Sequence, residues 1–387
     1  MCPPYGERYE KDTLNTFETF TELNIPEPFQ IALADMKMIR PTPIQVAAIP
    51  AALDGADVLG TAETGSGKTA AFGIPLVTAL YQDSSRQALV LAPTRELANQ
   101  IFGVLRQLCR ETDIRGTLIV GGESFGRQLA DIRHGVDYII ATPGRLNDHL
   151  QQGTINLSHV SFLVLDEFDR MLEMGFREQI ARIVNRIERN RQTLLFSATL
   201  PRDIEQLAAT FVRNPVRVAI GSMAKPVDTV TQSTNHTTEP GKITLLLEEL
   251  RNRKGRVLVF MRTKSRAERI ARVLHKEGHP VVCMHGDRTQ GQRKQALERF
   301  REGSSRIMVA TDLAARGIDV KDIEHVINYD LPKNREDYIH RVGRTARQGK
   351  TGNAVNFLTP GDVDGEKVIS GAPKQARYVY RSPRRRR

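Results

Sequence analysis

A glycine-rich stretch at residues 62–69 constrains the fold of this chain more than any other feature. It follows an apolar run at residues 57–60 and precedes a helix-forming run at residues 70–72, which suits a strand, a tight loop and a helix. In such a loop the glycines let backbone N–H groups turn inward around a polyphosphate, and the helix N-terminus adds its positive dipole end. We therefore predict a nucleotide-binding loop, in which Lys68 reaches the outer phosphates and the Thr69 hydroxyl ligates Mg²⁺. The residues of this loop are Ala62, Glu63, Thr64, Gly65, Ser66, Gly67, Lys68 and Thr69.

The length and composition indicate a globular protein of two domains. At 387 residues the chain exceeds one ordinary hydrophobic core. Its 40% hydrophobic and 26% charged residues are typical of globular chains, and no apolar run is long enough to span a membrane. The N-terminal residues lack the apolar core of a secretory signal, and Cys2, Cys109 and Cys283 are scattered without metal-like spacing. These features predict reduced thiols and a cytoplasmic location rather than a disulfide framework.

The net charge of +11 is concentrated at the C-terminus. Residues 366–387 contain eight lysines and arginines against one acidic residue. A basic tail on a nearly balanced body predicts a polyanionic partner such as nucleic acid, to which the tail adds a salt-sensitive attraction that is independent of sequence. A solvated terminus or a localisation signal is the alternative interpretation of this tail.

Short apolar runs alternate with helical patterns along two stretches of the chain. Continuous apolar strands between helices are typical of a parallel sheet that is buried on both faces, so the predicted fold class is α/β with two tandem domains. Ligands of such sheets bind beyond the carboxyl ends of the strands, which predicts a nucleotide site in a cleft between two facing sheets. The predicted divisions are a disordered lead-in at 1–16, a first domain at 17–218, a linker at 219–240, a second domain at 241–362 and a basic tail at 363–387.

Acidic residues directly follow the apolar run at residues 162–165. An acid at the end of a buried strand in a phosphate-loop protein is placed to hold Mg²⁺, so Asp166 is a candidate metal ligand. Glu167 beside it is a candidate to orient and deprotonate an attacking water, although a solvated acidic turn is the alternative. Ser197 and Thr199 end another apolar run, and by themselves they are typical of a turn or a helix cap.

Three arginines near the end of the second domain are spaced by three residues: Arg341, Arg344 and Arg347. On a helix this spacing places them on roughly one face, and a charged helix face is usually just solvated. Because the second domain has no phosphate loop of its own, such a row could instead supply arginine fingers to the developing γ-phosphate charge. Arg344 and Arg347 are the candidates.

The order of these motifs resembles the DEAD-box family of superfamily 2 RNA helicases, over about residues 17–360. The resemblance implies two RecA-like domains with a cleft between them, which use ATP and Mg²⁺. It also implies RNA-stimulated ATP hydrolysis that is coupled to local separation of short RNA duplexes or to RNA–protein remodelling. RNA would be bound through its backbone without sequence specificity. The resemblance further implies a monomeric core without membrane contact.

The resemblance also assigns roles to residues, motif by motif. The residues that match the adenine-reading motif are Phe20, Thr42 and Gln45, and Met38 occupies its base-stacking position. The residues that match RNA-backbone motifs of the first domain are Pro93, Thr94, Arg95, Gly121, Gly122, Thr142, Pro143, Gly144 and Arg145. The RNA-contact residues implied in the second domain are Arg262, Gln290, Arg293, Thr311 and Arg316, and Gly317 and Asp319 would meet the nucleotide. The motif that names the family spans Asp166 to Asp169, and Ser197 with Thr199 matches the motif that couples hydrolysis to strand separation.

Three positions depart from the family pattern. Phe168 replaces the usual alanine of the name motif, and we expect it to pack beneath the carboxylates without loss of activity. Lys37 and Met38 stand where the family has a glycine and an adenine-stacking aromatic residue, so we expect weaker ATP binding. After residues 357–360 the chain soon enters its basic tail, where relatives have a closing helix.

Two other function classes stay open on the sequence. One is a DNA-directed helicase or translocase of the same superfamily, because only the family resemblance favours RNA. The other is an ATP-gated RNA clamp with little unwinding. The departures at Met38 and Phe168 and the short C-terminus favour this class.

Overall fold

The computed structural model describes residues 17–62, 65–220, 230–315, 320, 323–346 and 351–370. The chain divides into two compact units, Met1–Ala224 and Lys225–Arg387. The predicted lead-in at 1–16 and residues 371–387 of the predicted tail lie outside the described residues.

Helices and strands alternate through the first unit. Its elements are a 3₁₀ helix Phe20–Glu22, α1 Glu27–Asp35, α2 Pro43–Leu53, β1 Val58–Thr61, α3 Lys68–Gln82, β2 Gln87–Leu91, α4 Arg95–Leu108, β3 Gly116–Ile119, α5 Phe125–Arg133, β4 Tyr138–Ala141, α6 Pro143–Gln151, β5 Val160–Leu165, α7 Phe168–Glu173, α8 Arg177–Val184, β6 Gln192–Ser197, α9 Arg202–Ala208 and β7 Val216–Ala219.

The second unit repeats the alternation on a smaller scale. Its elements are β8 Val230–His236, α10 Gly241–Asn252, β9 Arg256–Met261, α11 Lys264–Lys276, β10 Val281–Met284, α12 Gln290–Glu302, β11 Ile307–Thr311, α13 Asp312–Ala315, β12 Ile323–Asn328, α14 Arg335–Val342, β13 Gly352–Leu358 and α15 Gly365–Ser370.

The sheet of the first unit has seven strands in the order β3-β4-β2-β5-β6-β1-β7, and each described pair is parallel. Successive side chains of a strand point to opposite faces, so Val58 joins the apolar cluster on one face and Leu59 joins the cluster on the other. Because β5, β6 and β1 are neighbours, the segments that follow their carboxyl ends meet at one edge of the sheet. The predicted α/β class with two tandem parallel sheets is confirmed.

The sheet of the second unit has six strands in the order β10-β11-β9-β12-β13-β8, again with parallel pairs. The linker predicted at 219–240 needs correction, because Ala219 ends β7 and β8 pairs with β13 from Val230 opposite Gly352 to His236 opposite Leu358. Most side chains of β8 are polar and at least partly exposed, so the strand lacks the apolar run by which strands are recognised. Residues 221–229 lie outside the described part of the chain.

The predicted start of the basic tail at residue 363 also needs correction. A six-residue helix, α15, follows the last strand, and its Val368 is buried in a cluster with Tyr338 and Val342. Arg335 donates from Nη1 to the carbonyl oxygen of Val368 over 3.0 Å, which ties α14 to α15. The second unit therefore has a short closing helix before the tail.

Candidate active site

The predicted phosphate loop joins β1 to α3 and packs against the predicted adenine motif. Gly67, at the N-cap position of α3, has a φ of 96°, which favours glycine. A Cβ at Gly67 would lie 2.5 Å from Gln45 Nε2 and 2.8 Å from Thr42 Oγ1, so a larger residue does not fit. Gln45 Nε2 donates to the carbonyl oxygen of Gly67 over 3.0 Å, and its Oε1 accepts from the Thr42 amide over 2.8 Å. The structure thus brings two separately predicted motifs together.

Lys68 begins α3 and is buried, with 5% of its surface exposed. Its Nζ donates to the carbonyl oxygen of Ala62 over 2.8 Å, across the mouth of the loop. Asp166 is also buried, and burial raises its pKa to about 7, while Lys68 lowers it and Glu167 raises it. The Asp166 carboxyl group and the Thr69 hydroxyl both offer oxygen donors, which are the ligands that Mg²⁺ prefers in proteins.

Glu167 lies between β5 and α7 in a strained backbone conformation. Its φ of 50° and ψ of 53° fall in the left-handed region, which residues other than glycine rarely adopt. Such strain is often found at functional sites, where surrounding structure maintains it. Phe168 follows on the buried side, and its ring lies 5.8 Å from the ring of Phe211 in an edge-to-face contact. Phe168 belongs to the apolar cluster on that face of the sheet, which also contains Met171.

Asp169 is joined to the loop that contains Ser197 and Thr199. Its Oδ2 accepts hydrogen bonds from the Thr199 amide over 2.8 Å and from Thr199 Oγ1 over 2.9 Å. Its own amide donates to Ser197 Oγ over 3.2 Å, and that hydroxyl donates to the carbonyl oxygen of Thr199 over 2.6 Å. The amide of Ala62 donates to the Ser197 carbonyl over 3.1 Å, so the same segment contacts the start of the phosphate loop. The carboxylate of Asp169 therefore links two loops.

Two other residues of the predicted adenine motif have different surroundings. Phe20 is 4% exposed and packs in the core, with its ring 5.8 Å from that of Phe17. Met38 is partly buried against the same apolar cluster. Lys37 before it has a φ of 56°, at a position where the family has glycine.

Arg95 lies against the glycine pair at residues 121–122. Thr94 caps α4 by accepting from the Leu97 amide at its Oγ1 over 3.2 Å, which fixes the start of that helix. A Cβ at Gly122 would lie 2.1 Å from Arg95 Nη1, and one at Gly121 would lie 2.9 Å from Nη2. The two glycines therefore allow the guanidinium to approach the backbone, which brings two predicted RNA motifs together.

Arg145, on the first turn of α6, is held by contacts that the sequence did not reveal. The helix begins at Pro143, after Thr142 at the N-cap position. Arg145 Nε donates to Gln128 Oε1 over 2.8 Å, and its Cζ lies 4.8 Å from the centre of the Phe125 ring. Arg145 Nη2 also donates to the Glu123 carbonyl oxygen, in the loop before α5, over 2.9 Å.

His149 completes this cluster on the buried side. Its ring stacks on Phe125 at 4.0 Å, its Nε2 lies 3.1 Å from Gln128 Oε1, and its Nδ1 lies 2.9 Å from Thr154 Oγ1. Burial lowers the pKa of His149, and Arg145 lowers it further. The polar Gln128 on the inward side of an amphipathic helix could have indicated a buried polar cluster. Its partners Arg145 and His149 are distant from it in sequence, so the sequence did not identify them.

In the second unit, the arginine row does not lie on one helix face as predicted. The helix α14 ends at Val342 and Gly343 caps it, so Arg344 follows the helix. Arg341 is 2% exposed and contacts Asp312 through two hydrogen bonds, Nε to Oδ1 over 2.5 Å and Nη2 to Oδ2 over 2.7 Å. Its Nη1 donates to Asn328 Oδ1 over 3.0 Å. Arg341 is therefore bound within the second unit, and Arg344, which is 4% exposed just beyond the helix, donates from Nε to the His340 carbonyl oxygen over 3.3 Å.

The other predicted residues of the second unit lie on several elements. Arg262 follows β9 and donates from Nη2 to the Leu331 carbonyl over 3.2 Å and to Asp362 Oδ1 over 3.3 Å. Thr311 ends β11 and Arg293 lies on α12. Predicted site residues outside the described part are Glu63, Thr64, Arg316, Gly317, Asp319 and Arg347, together with the side chain of Gln290.

One group of three potential metal ligands comes together among the described residues, although the cysteine spacing gave no sign of it. The ligand atoms of Glu268, Cys283 and His285 lie within 4.8 Å of one another. His285 Nε2 is 2.6 Å from Glu268 Oε1, and Nδ1 accepts from the Asp287 amide over 3.3 Å. Arg288 Nη2 also lies 2.6 Å from Glu268 Oε1. A metal-bound histidine usually donates its second ring N–H, so we interpret this group as an ion-paired cluster.

Within the described residues, none of the helices combines the length and apolar character that crossing a bilayer requires.

Two family models match the chain. The model described as DEAD/DEAH box helicase matches residues 42–207, and the helicase conserved C-terminal domain matches residues 241–349. The matched ranges contain the phosphate loop, the acidic segment and the arginine row.

Curated relatives are similar along most of the chain. The DEAD-box ATP-dependent RNA helicase 30 of Arabidopsis thaliana is 45% identical over 358 residues, which cover 90% of this chain and 61% of that protein. The ATP-dependent RNA helicase DBP2 of Candida albicans is 43% identical over 362 residues, which cover 91% of this chain and 64% of the relative. The chain thus spans less than two thirds of the length of these relatives.

Solved structures are similar as well. S. cerevisiae Dbp5 bound to RNA and ADP BeF3 has a TM-score of 0.84 and 31% identity, with 92% of each chain covered. Mss116p bound to ssRNA and AMP-PNP has a TM-score of 0.82 and 29% identity, with 90% of this chain and 75% of that chain covered.

Proposed function

We propose that this chain, which belongs to the DEAD-box helicase family, is an ATP-dependent RNA helicase. Hydrolysis of ATP, stimulated by RNA, would separate short RNA duplexes locally or remodel RNA–protein complexes. The observation that carries the proposal is the contact of Gln45 and Thr42 with Gly67, which joins an adenine-reading motif to a phosphate loop. The similar structures of Dbp5 and Mss116p are bound to RNA together with nucleotide analogues, which supports both ligands here.

The nucleotide site would use the loop at residues 62–69 and the Gln45 side chain. Gln45 would read adenine, Lys68 would bind the outer phosphates, and Thr69 with Asp166 would hold Mg²⁺, the latter carboxylate through water. Bound Mg²⁺ would supply charge neutralisation at the phosphate oxygens. Met38 would cover one face of the base with a flexible thioether in place of an aromatic ring, and Phe20 would support the motif from the core.

Hydrolysis would depend on a base and on arginine side chains. Glu167 would orient and deprotonate the attacking water, and the strained backbone at this residue supports a functional role. Arg344 and Arg347 would stabilise the charge that develops on the γ-phosphate, with Gly317 and Asp319 also at the nucleotide. We propose that ATP and RNA close the two units so that these arginines reach the phosphates.

RNA would be bound through its phosphates, so affinity would decrease as salt increases and base specificity would be low. In the first unit, Arg95 and Arg145 are held by the glycine pair and by Gln128 respectively, which keeps two cations in defined positions. The proposed RNA-contact residues are Pro93, Thr94, Arg95, Gly121, Gly122, Thr142, Pro143, Gly144, Arg145, Arg262, Gln290, Arg293, Thr311 and Arg316. The basic tail would add attraction that does not depend on sequence.

The experiment that tests the function is steady-state ATP turnover without nucleic acid, with single-stranded RNA and with DNA of the same sequence. We expect stimulation by RNA alone. Equal stimulation by DNA would retain the ATPase and replace the RNA assignment by a DNA-directed translocase. Absence of stimulation by either would contradict the proposed closure.

The Glu167→Gln variant should bind ATP and RNA but lose turnover, and full residual turnover would exclude Glu167 as the base.

An ATP-gated RNA clamp is the second candidate function, and Met38 at the position of an aromatic residue favours it. A clamp would bind RNA in the presence of ATP but release few duplexes. Measuring duplex release beside ATP turnover in the same samples distinguishes the two functions.

We also propose a cytoplasmic location and a monomeric core. Cys109 and Cys283 are free thiols, which supports a reducing compartment. The arginine-rich terminus could instead act as a nuclear localisation signal. Imaging of the protein with and without residues 371–387 distinguishes a cytoplasmic from a nuclear location.

A further inference from the structure

A polar cavity of about 490 Å³ lies at the amino ends of the strands in the first sheet. Its walls come from the segments that precede or begin β1, β2, β5, β6 and β7. The phosphate loop follows the carboxyl end of β1, so the cavity and the candidate active site lie at opposite edges of the sheet. The charged lining residues are Asp83, Arg86, Glu188, Arg191 and Arg213, and Ser161 lies among them.

Two of the three arginines in this cavity have no carboxylate partner in the described part of the chain. Arg86 pairs with Asp83 over 3.2 Å. Arg191 donates from Nη1 to the Glu188 carbonyl oxygen over 3.0 Å, and Arg213 donates from Nη2 to the Arg191 carbonyl oxygen over 2.8 Å. Both guanidinium groups are thus held by backbone oxygens, which leaves their positive charges uncompensated by direct ion pairs.

Two acidic groups near these arginines, Asp83 and Asp57, accept hydrogen bonds from other donors. Asp83 accepts from the Ser85 amide over 3.0 Å and from the Ser85 hydroxyl over 2.6 Å, in addition to its contact with Arg86. Asp57, buried below the cavity, accepts from the backbone amides of Thr193 over 2.8 Å and Arg213 over 2.6 Å. Glu188 is the other acid of the lining.

Two donors at the cavity are buried without a partner among the described residues: the Ser161 hydroxyl and Arg191 Nε. Buried polar groups in native proteins nearly always have a hydrogen-bond partner, so each such group calls for an explanation. Burial lowers the pKa of Arg191, Asp57 opposes this, and Arg213 lowers it further. An anion in the cavity would supply a counter-charge for both guanidinium groups, and rotation of the Ser161 side chain toward it would give that hydroxyl an acceptor.

We propose that this cavity binds a small phosphate-bearing anion, through Arg191, Arg213 and Ser161. The guanidinium fork matches the geometry of phosphate oxygens, and a serine hydroxyl supplies a further donor. The cavity volume falls within the range of small-molecule sites, so a diphosphate or a mononucleotide fits, and one phosphate does not fill it. This site is separate from the phosphate loop, which follows the carboxyl end of β1.

The test uses the full chain with Lys68→Ala, which weakens phosphate binding at the loop, and inorganic pyrophosphate as the probe. Calorimetry should detect one pyrophosphate per chain. Adding Arg213→Gln should reduce the affinity at least tenfold, because it removes one guanidinium and keeps the backbone amide that binds Asp57. Adding Arg189→Gln, at an exposed residue outside the cavity, should leave the affinity unchanged.

A second variant separates binding from folding. Ser161→Ala removes a hydroxyl that has no partner, so it should leave thermal stability unchanged and still reduce pyrophosphate affinity several-fold. No binding to the Lys68→Ala chain, or equal affinity with and without Arg213, would overturn the proposal. Loss of single-stranded RNA binding in Arg213→Gln with no change for pyrophosphate would assign the cavity to RNA instead.

The source of the phosphate is distinguished by repeating the titration with AMP and with orthophosphate. An Arg213-dependent preference for AMP identifies a nucleotide site. Equal or weaker binding of AMP relative to pyrophosphate identifies an inorganic phosphate site. ATP turnover in the Arg213→Gln chain that retains Lys68 should be unchanged, so failure of this proposal would leave the helicase function untouched.

Discussion

Lys37 occupies a backbone conformation that favours glycine, directly after α1. Its φ is 56°, and two hydrogen bonds close the helix end, from the Lys37 amide to the Ala34 carbonyl and from the Met38 amide to the Leu33 carbonyl, both over 2.9 Å. This pattern is the Schellman motif, in which glycine is preferred because a Cβ is strained there. The family's glycine at this position thus has a physical reason, and Lys37 departs from it at a cost in stability.

Lys37→Gly should therefore raise the free energy of unfolding of the first unit by about 1 kcal/mol, because it relieves the left-handed strain. Chemical denaturation measures this change. Lys37→Ala removes the charge but keeps the strain, so it should give no comparable gain. Equal stabilisation by both variants would assign the effect to charge.

Met38 is the residue whose replacement should change nucleotide affinity. Met38→Phe should tighten ATP binding about three- to tenfold if the side chain stacks on adenine, since an aromatic pair adds roughly 0.5–1.5 kcal/mol. Ile39→Phe is the matched control, because Ile39 is 68% exposed and adjacent in sequence. Titration with a fluorescent ATP analogue measures both. An unchanged affinity for Met38→Phe would mean that this position does not cover the base.

Among the elements, the loop after β6 is joined to α7 through hydrogen bonds to Asp169. Thr199→Val removes the hydroxyl that donates to Asp169 Oδ2 and keeps the amide that donates to the same oxygen. If this contact couples hydrolysis to strand separation, duplex release should decrease at least tenfold while ATP turnover changes little. Measuring both rates in one buffer tests this. A parallel decrease of the two rates would make Thr199 part of the hydrolytic site.

The packing of α5 against α6 should depend on pH through His149. Its pKa is lowered from 6.5 by burial and by Arg145, so the unfolded chain binds more protons than the folded chain as the pH falls. The stability that neutral His149 contributes is therefore present above pH 6.5 and is lost as the pH falls below that value.

Denaturation of the first unit at about pH 7.5 and about pH 5.5 should show lower stability at the acidic value, and His149→Gln should reduce this difference. His134→Gln is the control, because His134 is exposed directly after the end of α5 and this variant should keep the wild-type difference. An unchanged difference in His149→Gln would assign the acid sensitivity to other groups.

At the scale of the whole molecule, the features best predicted from the sequence are those that depend on the order of the strands. The residues after β1, β5 and β6 meet because those strands are parallel neighbours, and apolar runs followed by polar residues reveal such strand ends. The contact of Gln45 with Gly67 could be expected only through the family resemblance, because 22 positions separate the two residues.

The sequence failed where local patterns were weak or ambiguous. The spacing of the arginine row suited a helix, but Gly343 ends α14 before Arg344. Gln128 and His149 meet Arg145 only through tertiary packing, so no local pattern identified them. The edge strand β8 is polar, and polar edge strands resemble linkers in composition.

The position of β8 also determines where the chain can be cut so that the second unit is expressed alone. A fragment that begins at residue 241 would lack β8 and would leave the buried, apolar strand β13 as an open edge, which invites pairing between molecules. A fragment that begins at residue 225 should remain soluble and monomeric in size-exclusion chromatography, whereas the shorter one should aggregate. Equal behaviour of the two fragments would contradict this expectation. The practical border for expressing the second half alone therefore lies before Val230, inside what its composition presents as a connecting segment.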